Sequence, residues 1–322
     1  MDNVDWDAYW RNAESSAAHL DGGPQDDALE KFWLQFFKTQ IASFNTPCSV
    51  LDVACGNGAV PRFALSCSRQ LPVAASIYGL DDSHAAIREM LRRDSTLCGI
   101  AAPVNQMPFA DNTFDIVTSQ FGIEYAGKEG FPEAVRVLRP GGRFSAVLHL
   151  ENGAIYRECQ VNLQAIESFR HSRILEHFAR LFQLVVVDAG ITTKAQVQSC
   201  DRQFAAAVAA AEQVFASRGK AVASGTLFRI YQDIGHMYSR LRSYRADELL
   251  EWVEVMQGEL QTYAGRMSSM LEAALDEFAL RELLSKLEQL GMSNTREATL
   301  DFGAQAQPSA WVVQAEKAGP VG

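Results

Sequence analysis

The stretch Val50-Leu-Asp-Val-Ala-Cys-Gly-Asn-Gly58 runs an apolar strand into a glycine turn that opens a helix. Gly56 and Gly58 let the chain turn tightly and bring a ligand against the main chain. The free N–H groups of the helix start can receive an anionic group such as a carboxylate. Asp52 sits inside the strand, where an unpaired carboxylate is costly; its partner is either a ligand ammonium or a backbone N–H or water. A dinucleotide fingerprint needs a third glycine, but Gly58 is followed by Ala59-Val60-Pro61, and no Gly-Lys-Ser/Thr of a phosphate-binding loop follows. The turn is built for something other than a pyrophosphate.

One βα unit later, Asp81 in Gly79-Leu-Asp-Asp-Ser83 falls at the carboxyl end of a strand. In a doubly wound sheet an acid at that place accepts hydrogen bonds from both hydroxyls of a ribose. The competing role, for Asp81 or Asp82, is to cap the next helix, which Ser83 can do as well. Three side chains are candidate general bases: His149 at the end of the fifth strand, Glu124 after the fourth, and His236 further on. His149 ranks first because strand carboxyl ends face the ligand crevice in such sheets, although a lone histidine is more often a structural hydrogen-bonder. Arg229, Tyr231 and Tyr238 fit either a polar or anionic acceptor pocket or a solvated helix face.

These residues need an α/β frame. Strands are expected at Ser49–Ala54, Ser76–Leu80, Phe114–Thr118 and Arg143–Leu150, with helices at Pro61–Arg69, Ala85–Arg93 and Pro132–Leu138 between them. Arg139-Pro-Gly-Gly142 reads as a turn. Residues 1–45 read as a helical cap whose Phe32, Trp33, Phe36 and Phe37 share one face. Residues 151–280 lose the strand signal, with helices expected over 154–184, 195–217, 227–242 and 246–280. A helix lined by Leu280, Leu283, Leu284, Leu287 and Leu290, and strands at Thr295–Phe302 and Ala310–Ala315 joined by a polar loop, then return to the α/β texture. The expected fold is therefore a Rossmann-like, seven-stranded doubly wound sheet with N-terminal helices (1–45). The α/β domain is split into 46–150 and 281–322 around an all-helical insert (151–280), read as a substrate lid.

The order of these stations resembles the class I S-adenosylmethionine-dependent methyltransferases, in particular the subgroup that includes the quinone-biosynthesis methyltransferases. The matching pieces are VLDVACGNG, GLDDS, MPFADNTFDIVTSQFGIEY and EAVRVLRPGGRFSAVL, covering 48–150, with a weaker match over 281–317. The resemblance implies S-adenosyl-L-methionine as cofactor. Its methionine end would be held by Asp52 and the turn Ala54, Cys55, Gly56, Asn57 and Gly58, and its ribose by Asp81. Asn105, Gln106 and Met107 would lie near the adenine, with Gln120 closing the site near the methionine. Tyr9 and Trp10 match an N-terminal aromatic pair that folds over the cofactor, a core role being equally open. Two positions depart from the family: Asp82 stands where an aliphatic residue usually packs on adenine, and Pro103-Val-Asn-Gln106 lacks the acid that often receives the adenine amino group. Tyr125 would face the acceptor.

Composition narrows the class. The 322 residues include 29 Lys and Arg against 39 Asp and Glu, a net charge of −10, which disfavours a nucleic-acid partner. Six scattered cysteines without a CxxC pair argue against a metal site or a disulfide framework and for a reduced, cytoplasmic setting. No signal peptide or membrane span is read, so no membrane partner is expected. The expected activity is methyl transfer to an O, N or C nucleophile of a small-molecule acceptor, with homodimerisation left open. The alternatives are the same fold with non-methyl-transfer chemistry or a non-catalytic cofactor-binding role, and, less favoured, a nicotinamide-dependent oxidoreductase.

Overall fold

The computed structural model of the chain describes residues 6, 9, 10, 24–302 and 308–319. The expected 1–45 cap falls partly outside this range; the described part is helix α1 (Pro24–Ala42). The loop joining the last two strands falls outside the described residues at 303–307.

Strands β1 (Cys48–Val53), β2 (Ala75–Asp81), β3 (Cys98–Ala101), β4 (Phe114–Gln120), β5 (Leu138–His149), β6 (Met292–Asp301) and β7 (Pro308–Lys317) form one sheet in the order β3-β2-β1-β4-β5-β7-β6. The first five run parallel, while β7 is antiparallel to both β5 and β6. The strand order reverses between β1 and β4, and ligands of open α/β sheets bind in the crevice above such a switch point. Helices α2 (Ala59–Ser68), α3 (His84–Arg93) and α4 (Gly130–Val137) make the crossovers. Five helices follow β5: α5 (Ala154–His171), α6 (Ile174–Phe182), α7 (Lys194–Arg218), α8 (Thr226–Tyr238) and α9 (Ala246–Ala273). Helix α10 (Glu277–Gln289) then leads back to β6.

Central strands buried on both faces read as near-continuous apolar runs, and β1 and the Phe144–Leu148 half of β5 come closest to this. On one face Leu51, Val117, Phe144 and Val313 pack with Phe131 and Val135 of α4 and Leu280 and Leu287 of α10. On the other, Val50, Ile116 and Val147 pack beneath Trp33, Phe37 and Ile41 of α1 and Val60 and Ala64 of α2. Packing divides the chain into two units, Met1–Arg157 with Ser269–Gly322, and Glu158–Ser268. Entry to and exit from the helical segment are stapled in the first unit: Leu275 N–H donates to the His149 carbonyl at 2.9 Å, and Glu151 N–H to the Leu275 carbonyl at 3.0 Å.

Several local expectations change. β3 is a four-residue edge strand without a fully buried residue, too short and too wet to give a period-two signal. Arg139–Gly142 belongs to β5: the register jumps from Phe114↔Leu138 to Ile116↔Arg143, so the proline–glycine stretch bulges out of a strand instead of ending one. The helix expected over 154–184 breaks at Arg173, which has φ +56°, and the one over 246–280 stops at Ala273 before Asp276 caps α10.

Candidate functional site

β1 ends in a turn whose backbone is left-handed at Ala54 (φ +54°), Gly56 (φ +53°) and Gly58 (φ +84°). Cys55 N–H donates to the Leu80 carbonyl at 3.0 Å and Gly58 N–H to the Cys55 carbonyl at 3.0 Å, so the turn continues the β1–β2 pairing and then closes on itself. At Gly56 a β-carbon would lie 2.6 Å from Cζ2 of Trp10, and at Gly58 one would lie 2.3 Å from Cγ of Met90. Both positions therefore require glycine on two counts, conformation and space.

Asp81 closes β2 against this turn. Its Oδ2 accepts the Gly56 N–H at 2.8 Å and its Oδ1 the Ser83 N–H at 2.8 Å. Ser83 caps α3, its Oγ receiving the Ala86 N–H at 3.2 Å. Ser83 therefore caps α3, and Asp81 is oriented by two backbone donors. Asp82 beside it is exposed.

Asp52 is buried and accepts the Thr118 hydroxyl at 2.7 Å across the β1–β4 pair. Burial lifts its carboxyl well above the ordinary carboxylate range; the Thr118 hydrogen bond works against that lift and the charge of Asp81 adds to it. Gln120 ends β4, where its Oε1 receives the Trp33 indole N–H from α1 at 2.6 Å. Cys55 and Asn57 are buried within the turn, and burial also pushes the Cys55 thiol up. Trp10 is buried with Ala85 and Ala86 at the start of α3, and Tyr9 meets Trp10 with ring centroids 4.9 Å apart. Asn105 and Gln106 are exposed on a short helical turn, whereas the Met107 side chain belongs to the core and its N–H is donated to Glu133 at 2.8 Å.

Of the three candidate bases, the structure brings two together. Glu124 Oε1 lies 2.7 Å from His149 Nδ1 and accepts the His149 backbone N–H at 3.1 Å. Both side chains are only 2% exposed. Glu124 Oε2 and His149 Nε2 are buried without a hydrogen-bond partner among the described residues. Leaving such an atom unsatisfied costs about 1–3 kcal/mol. Phe121 and Tyr125 flank the imidazole, at centroid distances of 4.6 and 5.7 Å. His236 lies exposed on α8 of the helical unit. In that unit Arg229 pairs with Glu259 at 2.7 Å, Tyr231 donates to Glu212 at 2.5 Å, and Tyr238 donates to Asp201 at 3.1 Å. Each of the three therefore has an acidic partner within its own unit.

Residues 51–146 match the family described as the methyltransferase domain. Over these residues the chain is similar to class I S-adenosylmethionine-dependent methyltransferases. The chain is 40% identical over 104 residues to a ubiquinone/menaquinone biosynthesis C-methyltransferase of Geobacter sulfurreducens, covering 29% of this chain and 39% of that protein. It is 33% identical over 124 residues to the protein of the same description from Geotalea daltonii, covering 36% and 51%. The matches thus span about half or less of those two relatives' lengths. Among solved structures, the geranyl diphosphate C-methyltransferase of Streptomyces coelicolor is similar at 15% identity and a TM-score of 0.35, over 46% of this chain and 65% of that one.

Three residues around the crevice, Thr118, Glu133 and Arg136, were not singled out from the sequence, and Trp33 was read only as part of an aromatic helix face. Thr118 partners Asp52 and Trp33 partners Gln120. Glu133 and Arg136 fix the 107–109 loop, Arg136 donating to the carbonyls of Phe109 at 2.7 Å and Met107 at 3.1 Å. The Glu133/Arg136 spacing is a signal for a helix-surface pair. Nothing in the spacing of Thr118 or Trp33 announces a partner 66 or 87 positions away. Among the described residues no helix is long and apolar enough to cross a membrane.

Proposed function

We propose that the protein transfers a methyl group from S-adenosylmethionine to an O, N or C nucleophile of a small-molecule acceptor. The observation that carries this reading is the Asp81 carboxylate, oriented by the Gly56 and Ser83 N–H groups beside a left-handed glycine turn at the switch point of the sheet. The donor set fits the cofactor's chemistry. A carboxylate such as that of Asp81 is the usual acceptor for the hydroxyls of a ribose, and N–H groups at the first turn of a helix such as α2 receive a carboxylate. Asp52 is buried with its carboxyl lifted well above the ordinary range by burial, and a cationic group bound beside it would favour its charged form. On this reading the 54–58 turn and Asp52 hold the amino-acid end, Asp81 the ribose, and Trp10, packed on Gly56, closes the turn from above.

The bound cofactor supplies a methyl group already activated on a positive sulfur. The protein's part is to hold an acceptor in line with it and exclude water, and such positioning can supply up to about 7–11 kcal/mol in well-oriented systems. A small-molecule acceptor is favoured by the acidic chain and by the relatives described as quinone-biosynthesis enzymes. The test is binding, then transfer. S-adenosylhomocysteine should raise the melting temperature where NAD and NADP leave it unchanged, and methyl-labelled cofactor should yield S-adenosylhomocysteine with a labelled product. Stabilisation by the nicotinamide nucleotides alone would reject the reading.

A further inference from the structure

We propose that the arc 103–106 reads the nucleoside base through the carboxamides of Asn105 and Gln106, which accept a 6-amino and a 6-oxo purine alike, and that Glu133 and Arg136 of α4 position the arc. This rests on the cofactor placement proposed above and adds to it the base selectivity of that site.

The arc leaves β3 beside the ribose acid and is tied at both ends. At its start Ala101 pairs with Asp81, and the Ala102 N–H donates to the Asp81 carbonyl at 3.0 Å. At its far end α4 takes both main-chain groups of Met107. The N–H is donated to Glu133 Oε2 at 2.8 Å, and the carbonyl accepts from Arg136 Nη2 at 3.1 Å. Arg136 Nη1 also donates to the Phe109 carbonyl at 2.7 Å, while Nε and Nη2 reach the two Glu133 oxygens at 2.6 and 2.8 Å. A two-pronged guanidinium–carboxylate pair fixes orientation as well as distance. Between the anchors Val104 is buried, whereas Pro103, Asn105 and Gln106 are exposed.

Covalent geometry directs the base to the arc. In a ribose the base sits on C1′ and the 5′ tail on C4′, on opposite sides of the ring, with the two hydroxyls along the edge between them. With the hydroxyls on Asp81 and the tail at the turn that ends β1, the base extends toward the other neighbour of β2, which is β3 and the arc that follows it. The arc carries no charged side chain, only carboxamides and main chain. A carboxamide sets an acceptor oxygen beside N–H donors, and so pairs bidentately with an adenine edge. Turned over, the same group meets the O6 acceptor and N1–H donor of hypoxanthine. A carboxylate, having acceptors only, would favour the amino base and repel O6. Glu133 and Arg136 are positioning residues: they touch the arc, and the arc touches the base.

The full chain is tested by titration calorimetry with S-adenosylhomocysteine, S-inosylhomocysteine and S-ribosylhomocysteine, the last of which has no base. The adenosyl and inosyl compounds should bind within about threefold of one another. The double variant Asn105→Asp, Gln106→Glu should keep the first and weaken the second by ~10-fold or more. Arg136→Met should weaken the adenosyl compound by ~10-fold or more and Glu133→Gln by ~5-fold or more, with the ribosyl compound within about threefold of wild type in both. Should Arg136→Met not fold, Glu133→Gln decides alone. The proposal is overturned if the wild type rejects the inosyl compound by ~10-fold or more, if the double variant leaves the ratio unchanged, or if Asp82→Asn moves the ratio in its place. It is equally overturned if the α4 variants weaken the ribosyl compound as much as the adenosyl one, or weaken neither. Failure of S-adenosylhomocysteine to bind at all would remove the methyl-transfer reading itself, and this proposal with it.

Discussion

The Gly56 N–H donates to Asp81 Oδ2 at 2.8 Å, so the acid at the end of β2 is locked to the glycine turn at the end of β1. One hydrogen bond thereby sets the distance between the two places where a nucleoside carrying an amino-acid tail would be gripped. Because the Ser83 N–H holds the other oxygen at 2.8 Å, the carboxylate cannot rotate away to solvent without losing both bonds.

Asp81→Ala should weaken S-adenosylhomocysteine binding by more than ~10-fold, the loss expected when charge-assisted hydrogen bonds to a ligand go. Titration calorimetry reads it, and circular dichroism should show the fold retained. Unchanged affinity would remove the ribose role of Asp81.

Gly58→Ala combines a left-handed φ of +84° with a β-carbon 2.3 Å from Met90 Cγ. The backbone strain alone costs about 1–3 kcal/mol. The urea midpoint should fall, whereas Gly190→Ala, where an added β-carbon meets nothing within 4 Å, should leave it within error.

Asp52 makes stability depend on pH with a definite sign. Burial lifts its carboxyl well above the ordinary 3.8, so the folded chain keeps a proton that the unfolded chain has released. Stability from this group is full below the unfolded value and is lost as pH rises through the folded one. Asp52→Asn, neutral throughout and still able to accept from Thr118, removes that loss. Its melting temperature relative to wild type should climb between about pH 4 and pH 7. Parallel curves would contradict the assignment.

The cysteines differ in reach. Burial pushes the Cys48 thiol up to about 11 and Cys159 up to about 12, while Cys98 alone is exposed. Because the thiolate is the reactive form, iodoacetamide on the folded protein should modify Cys98 first, as peptide mass mapping would show. Early labelling of Cys55 in the glycine turn would mean that the turn opens.

The central frame was legible because its signals are local. The apolar run 48–53, the Gly56/Gly58 turn and the acid at 81 each announce themselves within a few residues, and the sheet places them side by side. What stayed hidden depends on pairing across the fold. Glu124 and His149 read as competing bases because nothing in their 25-residue separation says that they meet at 2.7 Å. Thr118 hid in an apolar strand, and the Arg139–Gly142 bulge hid because proline and glycine signal a turn whether or not the strand resumes beyond it. The helical stretch from 154 showed its periodicity but not its breaks, since Arg173 takes a left-handed φ of +56° that no propensity favours.

The most direct measurement is a crystal structure of the chain with S-adenosylhomocysteine. The account predicts both ribose hydroxyls on the Asp81 carboxylate and the amino-acid tail at the Gly56–Gly58 turn. A nucleoside bound away from Asp81 and the glycine turn would contradict it.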